Sequence, residues 1–386
     1  MIIQSADRMK HFQPGIFSRL KEATDKRKLT DSFIDLSLGS PDLPPVELIR
    51  KKLSEESYKE TSYGYTLGGM QRFNEAVANY YKRVNHIDIS AESEVLQTMG
   101  SQEGLVHLPL AFCNPGDIVL TTNPAYIAYE SGIHLAGAEA YSLPLLKEND
   151  YLPNLTNIPE EILKRTKLLI LNLPGNPVPA SATEAFFNDV VAFAKEHNIL
   201  VLHDAAYSEF YYTDEKPLSF LSVSGAKEVG IETNSLSKSF SLAGTRIAYF
   251  VGNSQAIKSL KYLKSNLDYG VFAPVQEAAI IALDNSEAIT DEVRRIFSIR
   301  HKIMSEGLTK LGWEIAPSTG GMFIWAKYPS MVDDETFVFD LIEKHGIAMV
   351  PGSIFGTEGK NHVRIALVQD KEVLEEVLEI LKRCNL

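Results

Sequence analysis

Hydrophobic and polar positions along the chain fall into two alternating patterns. Short apolar runs recur at 94–98, 117–121, 167–171, 199–203, 229–233 and 246–251. Several are continuously apolar, which suits strands buried on both faces. Stretches with helical period lie between them. Phe73, Val77, Tyr80 and Tyr81 share one face of a helix over 71–83. Phe187, Val190, Val191 and Ala194 follow i, i+3, i+4, i+7 behind a capping-box pattern at Ser181-Ala-Thr-Glu184. Strands alternating with helices predict an α/β domain with a largely parallel sheet.

The ends read differently. Residues 286–312 predict one long helix starting near Thr290, followed by strand-like Gly320–Trp325 and Asn361–Leu367. A last amphipathic helix runs from about Asp370 to Arg383, with Val373, Val377 and Ile380 in register. The C-terminal part and some of the first 45 residues together form a smaller α+β domain in this reading. Pro41, Pro44 and Pro45 punctuate the first boundary. The expected division is 1–45, 46–285 and 286–386, and the length of 386 residues agrees with two to three domains at ~150 residues each.

Composition narrows the function classes. An apolar share of 45% with 23% charged residues is that of an ordinary globular protein. No apolar run approaches the roughly 18 residues of a membrane span, and the first ten residues lack the apolar stretch of a signal peptide. A net charge of -12 argues against a nucleic-acid partner. Two cysteines, Cys113 and Cys384, are too few for a disulfide framework or a cysteine metal site, so no metal is expected and a cytoplasmic location is.

Common catalytic patterns fail. There is no dinucleotide glycine fingerprint and no His-Glu-x-x-His. Gly359-Lys360 is followed by Asn361, and Ile354 stands where a phosphate loop needs its first glycine. Gly100-Ser-Gln-Glu-Gly104 has Gln102 where a nucleophile elbow needs serine. Ser235-Leu-Ser-Lys238 matches Ser-x-x-Lys, but no Lys-Thr-Gly follows.

Another set of residues converges. Ligands of open α/β sheets bind beyond the carboxyl ends of the strands. Just past successive strand candidates come Gly100-Ser101-Gln102, Tyr126, Asn172 and Asn176, Asp204 and Tyr207, then Ser235, Ser237 and Lys238, with Arg246 eight residues on. An anion cradle, an aromatic ring, amides, a carboxylate, a phenol, a lysine and an arginine would share one edge.

Ser235–Arg246 (Ser-Leu-Ser-Lys-Ser-Phe-Ser-Leu-Ala-Gly-Thr-Arg) resembles the cofactor-lysine segment of the class I/II aminotransferases, pyridoxal-phosphate enzymes of fold type I. Ser37-Leu-Gly-Ser-Pro-Asp42 resembles their glycine loop, Asn172-Leu-Pro-Gly-Asn-Pro177 their asparagine motif and His203-Asp-Ala-Ala-Tyr207 their Asp-x-x-Tyr. Gly320–Trp325, Pro351–Gly356 and Val363-Arg364-Ile365 resemble C-terminal landmarks, so the likeness spans nearly the whole chain in order. It implies a mostly parallel seven-stranded sheet covered by helices, with a smaller α+β domain built from both chain ends.

The resemblance also implies roles. Lys238 would condense with the cofactor aldehyde and act as general acid/base. Asp204 would keep the cofactor ring nitrogen protonated. Tyr207 and Asn176 would share the phenolic oxygen, and Tyr126 would stack on the ring. Ser101, Gln102, Ser235, Ser237 and Arg246 would hold the phosphate. Arg364 would bind the substrate α-carboxylate as a fork, Asn176 would border the substrate, and Gly39 would let the backbone come close. The expected reaction moves an amino group from an L-amino acid to a 2-oxo acid, by resemblance 2-oxoglutarate. The alternatives are a carbon–sulfur β-lyase of the same fold and a non-catalytic cofactor-binding regulator. Asn176-Pro177-Val178-Pro179 departs from the family's Asn-Pro-Thr-Gly, so its turn should differ. A homodimer with shared sites is implied, with a tyrosine reaching the partner's phosphate, Tyr65 rather than Tyr63. For a distal substrate carboxylate the sequence offers Arg19, Lys21, Arg72 and Arg295, with nothing to place any of them. The run His11-Phe-Gln-Pro-Gly-Ile-Phe17 reads as a cover over the site or, preferably, as an arm packed on the other subunit.

Overall fold

The computed structural model describes residues 3–12, 16–28 and 32–384. Its centre is a sheet of seven strands: β1 Val95–Thr98, β2 Ile118–Asn123, β3 Glu139–Pro144, β4 Thr166–Leu171, β5 Leu200–Asp204, β6 Gly230–Ser235 and β7 Ala248–Gly252. They lie in the order β1-β7-β6-β5-β4-β2-β3. Only the two pairings of β7 are antiparallel. The interior strands β4, β5 and β6 are buried almost throughout, as the apolar runs of β4 and β5 require; β6 is buried although Glu232, Thr233, Asn234 and Ser235 are polar. The strand β3 escapes the sequence pattern because it is an edge: only Leu143 of its six residues is buried. The expected strand 246–251 begins two residues later, leaving Arg246 ahead of it.

Helices cover the sheet. Gln71–Asn85 buries Phe73, Val77, Tyr80 and Tyr81 as the period predicts. The helix Glu184–His197 is capped by Thr183, whose hydroxyl accepts from Phe186 N, and not by the expected Ser181. Ser181 instead shares a 2.6 Å hydrogen bond with Thr319. The long helix spans Ser286–Lys310 and starts one turn before Thr290, which is buried inside it and accepts from Arg294 at 2.8 Å. The last helix, Lys371–Arg383, buries Leu374, Val377 and Leu381. The register read from the sequence was off by one at both ends, because Val373 and Ile380 border the true stripe.

Phe323–Lys327 (β8) and His362–Ala366 (β9) pair antiparallel in a second sheet. An apolar cluster formed mostly by residues between Phe297 and Leu381 also takes in Leu20 and Leu36 from the start of the chain. Ile34–Asp35 adds a short parallel pairing with Ile347–Ala348, and Ala366 N donates to Leu36 O at 2.9 Å. The turn Asp7–Phe12 packs within the same chain: His11 stacks on His134 with centroids 3.9 Å apart. Gln13, Pro14 and Gly15 of the expected covering run lie outside the described residues.

One buried cation fixes the loop that follows Leu36. Arg300, on the long helix, forms two 2.7 Å bonds to the Asp42 carboxylate, and also donates to Leu367 O at 3.0 Å and Asp370 at 3.2 Å. Replacing Arg300 by Met leaves Asp42 and a buried carbonyl without their donor. The expected loss is about 2–3 kcal/mol in urea unfolding. An unchanged midpoint would show that the clasp adds nothing.

Candidate active site

The carboxyl ends of the strands open into one cavity of about 750 Å³. Parallel strands put every following loop on the same edge, so residues far apart in sequence meet there. Asp204 is the last residue of β5 and Ser235 the last of β6. Because β7 runs the other way, its start lies beside the end of β6, with Ser235 opposite Ala248. This brings Arg246 to the same edge. All the residues expected from the sequence line the cavity except Tyr65.

An anion cradle occupies one end. Ser101 opens the helix Ser101–Phe112, and Gly100 before it has φ of +80°. A side chain on Gly100 would collide with the Arg246 guanidinium, so glycine lets the cation sit against the helix N-terminus. The Ser235 hydroxyl accepts from Ser237 N at 3.2 Å, capping a short turn that carries Lys238. Amides, hydroxyls and a guanidinium thus converge as a phosphate requires.

The middle of the cavity holds the titratable groups. The Lys238 amine donates to Gly39 O. Burial, with the charges of Arg364 and Arg246, lowers its pKa to about 8, against the pull of Asp204. Asp204 is buried, accepting from Tyr129 OH at 2.9 Å and from Ala206 N at 3.2 Å, while its carbonyl accepts from Asn172 at 2.7 Å. Burial raises its pKa, and those two donors together with His203 and Lys238 oppose the rise. Burial likewise raises Tyr207, as do Tyr126 and Asp204, and the charge of Arg364 acts the other way. Tyr126 stands edge-on to Tyr129, ring centroids 5.7 Å apart.

Arg364, on β9, closes the other end. Its guanidinium lies over the Phe323 ring at 4.5 Å and the Phe355 ring at 5.2 Å. It donates to Asn176 Oδ1 at 2.9 Å and to Ser37 O at 2.5 Å, while its buried Nε has no partner. Burial depresses its pKa to about 10, so it remains charged at neutral pH. A methyl on Gly39 would meet Phe323 at an ordinary 3.7 Å. Glycine there is therefore not forced by the chain's own packing; it keeps room on the cavity side. The turn after Asn176 closes with Gly175 N donating to Val178 O at 3.0 Å.

These features fit pyridoxal phosphate in order: a cradle kept open at Gly100, a neutralisable amine, a buried carboxylate, and an unpaired guanidinium N–H for a carboxylate. Sequence reasoning missed Tyr129, although its i, i+3 spacing from Tyr126 past a strand end was a usable signal. It named Asn172 only as a landmark. It also missed the wall formed by the N-terminal helix Ile16–Lys28, which contributes Lys21, Thr24, Asp25 and Lys28 to the cavity. Nothing in a lone amphipathic stretch says which surface it will cover.

Comparison with known proteins agrees with the geometry. The family described as aminotransferase class I and II matches residues 31–381. The LL-diaminopimelate aminotransferase of Aquifex aeolicus is 40% identical over all of both chains. That of Moorella thermoacetica is 38% identical, covering 99% of this chain and 98% of the relative. Among solved structures, substrate-bound BacF from Bacillus subtilis superposes with a TM-score of 0.96 at 38% identity, covering 100% of this chain and 99% of the other. A Thermus thermophilus aspartate aminotransferase mutant gives 0.92 at 26% identity, covering 99% and 100%. The chain belongs to the class I and II aminotransferases, pyridoxal-phosphate-dependent enzymes that move an amino group from an amino acid to a 2-oxo acid.

Proposed function

We propose that the amino donor is LL-diaminopimelate and the acceptor 2-oxoglutarate. One observation about the cavity carries this reading. Arg364 holds one end, and the N-terminal helix lines the cavity wall with Lys21, Asp25 and Lys28, joined by Asp35. Lys28 lies 3.7 Å from Asp35, so both charge signs stand together. A donor whose far end carries an ammonium and a carboxylate matches such a wall; a short or wholly apolar donor does not. The relatives that bear this activity in their names add support.

The residues would act as follows. Ser101, Gln102, Ser235, Ser237 and Arg246 hold the phosphate, Tyr126 covers the ring, and Asp204 binds the protonated ring nitrogen. The Asn176 carbonyl oxygen already accepts from Arg364, which leaves its amide N–H, with Tyr207, for the phenolic oxygen. Arg364 orients the α-carboxylate, with Gly39 leaving room beside it. Bound pyridoxal phosphate supplies an aldehyde that takes up the amino group and a ring that accepts electron density from the α-carbon. Lys238 would anchor the cofactor and would remove the proton from the substrate α-carbon. An amine with a pKa of about 8 is near the value that suits such a base at neutral pH.

The same reading includes a homodimer. Tyr65 is 82% exposed, beside Tyr269, with ring centroids 5.2 Å apart, and Leu67 and Phe272 extend the apolar patch. Tyr63 donates its hydroxyl locally to Ser57 O at 2.8 Å, which leaves Tyr65 as the residue to reach a partner's phosphate site. Residues 46–285 form the cofactor-binding unit, and 1–45 joins 286–386, in keeping with Leu20 and Leu36 packing among the C-terminal apolar residues. Two free cysteines suit a cytoplasmic location.

The expected outcomes are concrete. With 2-oxoglutarate, kcat/KM for LL-diaminopimelate should exceed that for aspartate or phenylalanine at least tenfold, and Lys28→Ala should raise the diaminopimelate KM by roughly fivefold, as for a half-exposed ion pair. Equal rates with aspartate would sink the donor assignment. Lys238→Ala should retain cofactor without a covalent link and lose at least about 10³-fold in turnover. In the wild type, covalent capture of added cofactor should speed up as pH rises and level off above about 8, because only the neutral amine attacks. The double variant Leu67→Asp, Tyr269→Asp should sediment as a monomer with little activity; a fully active monomer would refute shared sites.

A further inference from the structure

His203 and Asp204 are consecutive on β5, so their side chains leave opposite faces of the sheet. Asp204 faces the cavity. His203 is 1% exposed on the far side, edge-on to Phe187 at 5.2 Å. Both of its ring nitrogens meet acceptors at 2.9 Å: Nδ1 meets Glu232 Oε2 and Nε2 meets Leu173 O. A carbonyl oxygen can only accept, so Nε2 carries a proton.

The other nitrogen is settled by the carboxylate. Glu232 Oε2 also accepts from Ser219 Oγ at 2.8 Å and from Phe220 N at 3.0 Å, and Oε1 accepts from Tyr81 OH at 2.6 Å. A proton on Oε2 would weaken it as an acceptor for Ser219 Oγ and Phe220 N, so the donors gathered there favour the ionised form. Four donors around Glu232 fit an ionised carboxylate and an imidazolium. The tyrosines packed around this pair are Tyr80 and Tyr81 from the helix Gln71–Asn85 and Tyr249 from β7; burial holds all three phenols neutral. Farther out, Glu209 is matched by Lys216, and Asp204 lies on the cavity side.

We propose that His203 is a permanently protonated positioning residue for the cofactor site. It ties together three neighbouring strands at their active edge. Its Nε2–H fixes the carbonyl of Leu173, inside the loop that carries Asn172 and Asn176. Its Nδ1–H is anchored on β6, which ends in Ser235. Its charge sits one residue from Asp204, whose burial by itself favours the neutral acid, and so helps Asp204 remain the carboxylate that a protonated ring nitrogen requires. Burial also works against the His203 charge, but the bonds to Glu232 and Leu173 outweigh it and the pKa lies above the ordinary histidine value.

This inference rests on the cofactor assignment, and two measurements separate the two. Nitrogen-15 NMR of histidine-labelled wild-type protein, with and without pyridoxamine phosphate, should show both His203 nitrogens protonated from pH 6 to pH 9. A singly protonated ring titrating near 6.5 would overturn the proposal and leave the cofactor untouched. The second measurement is the affinity of His203→Gln for pyridoxamine phosphate, which binds without Lys238. The wild type should bind it with little change between pH 7.5 and 5.5. The variant should lose about tenfold over that range, because Asp204 takes up a proton that binding must expel. A loss of equal size at every pH would reduce His203 to a structural brace. Failure of the wild type to bind pyridoxamine phosphate would count against the cofactor assignment alone.

Discussion

The site is arranged around the cost of burying one carboxylate. Asp204 sits at the end of a central strand, and burial alone favours its neutral form. Hydrogen bonds from Tyr129 and the Ala206 amide hold it on the cavity side. The His203–Glu232 pair lies on the opposite side of the same strand. Each side has support of its own: Tyr129 is carried by the helix Ala128–Ala136, and Glu232 accepts from a serine, a backbone amide and a buried tyrosine. The polar network thus extends through the sheet, and every member of it is satisfied.

The other end of the cavity is organised around a second buried charge. Arg364 lies over the Phe323 and Phe355 rings and uses two of its nitrogens on Asn176 and Ser37. Its guanidinium is therefore oriented by the chain's own contacts. The Ser37 contact links it to the glycine loop. Asp42, at the other end of that loop, is fastened by Arg300. Lys238 meets the same loop through Gly39 O. A short segment of irregular backbone is thus held at three points by cations from three different parts of the chain.

Much of this was legible in the sequence, for physical reasons. Strands buried on both faces carry apolar runs, so β4 and β5 stand out, and the strand ends name Asn176, Asp204 and, past the more polar β6, Ser235. The ordered motifs then supplied Lys238, Arg246 and Arg364. What escaped notice lacked a local signature. Edge strand β3 exposes most of its residues and carries no period. Thr183 took the cap from Ser181 because the chain turns two residues later than the box pattern suggests. Tyr129 and His203 act through partners far away in sequence, Asp204 in one case and Glu232 in the other. Lys21 could be offered from the sequence but not placed, and Asp25 and Lys28 carry no signal of their own until the fold lays their helix along the cavity.

The reversed direction of β7 has one more consequence. Residues 236–247 leave the cavity edge at Ser235 and return to it at Arg246, so this excursion begins and ends at the site. This excursion cannot change length freely: one residue added or removed would shift Lys238 relative to Arg246, and with it the spacing of amine and guanidinium in the cavity. Its length should therefore be the least variable of all the connections, even where its residues change, and it is the poorest place in the molecule to graft an insertion.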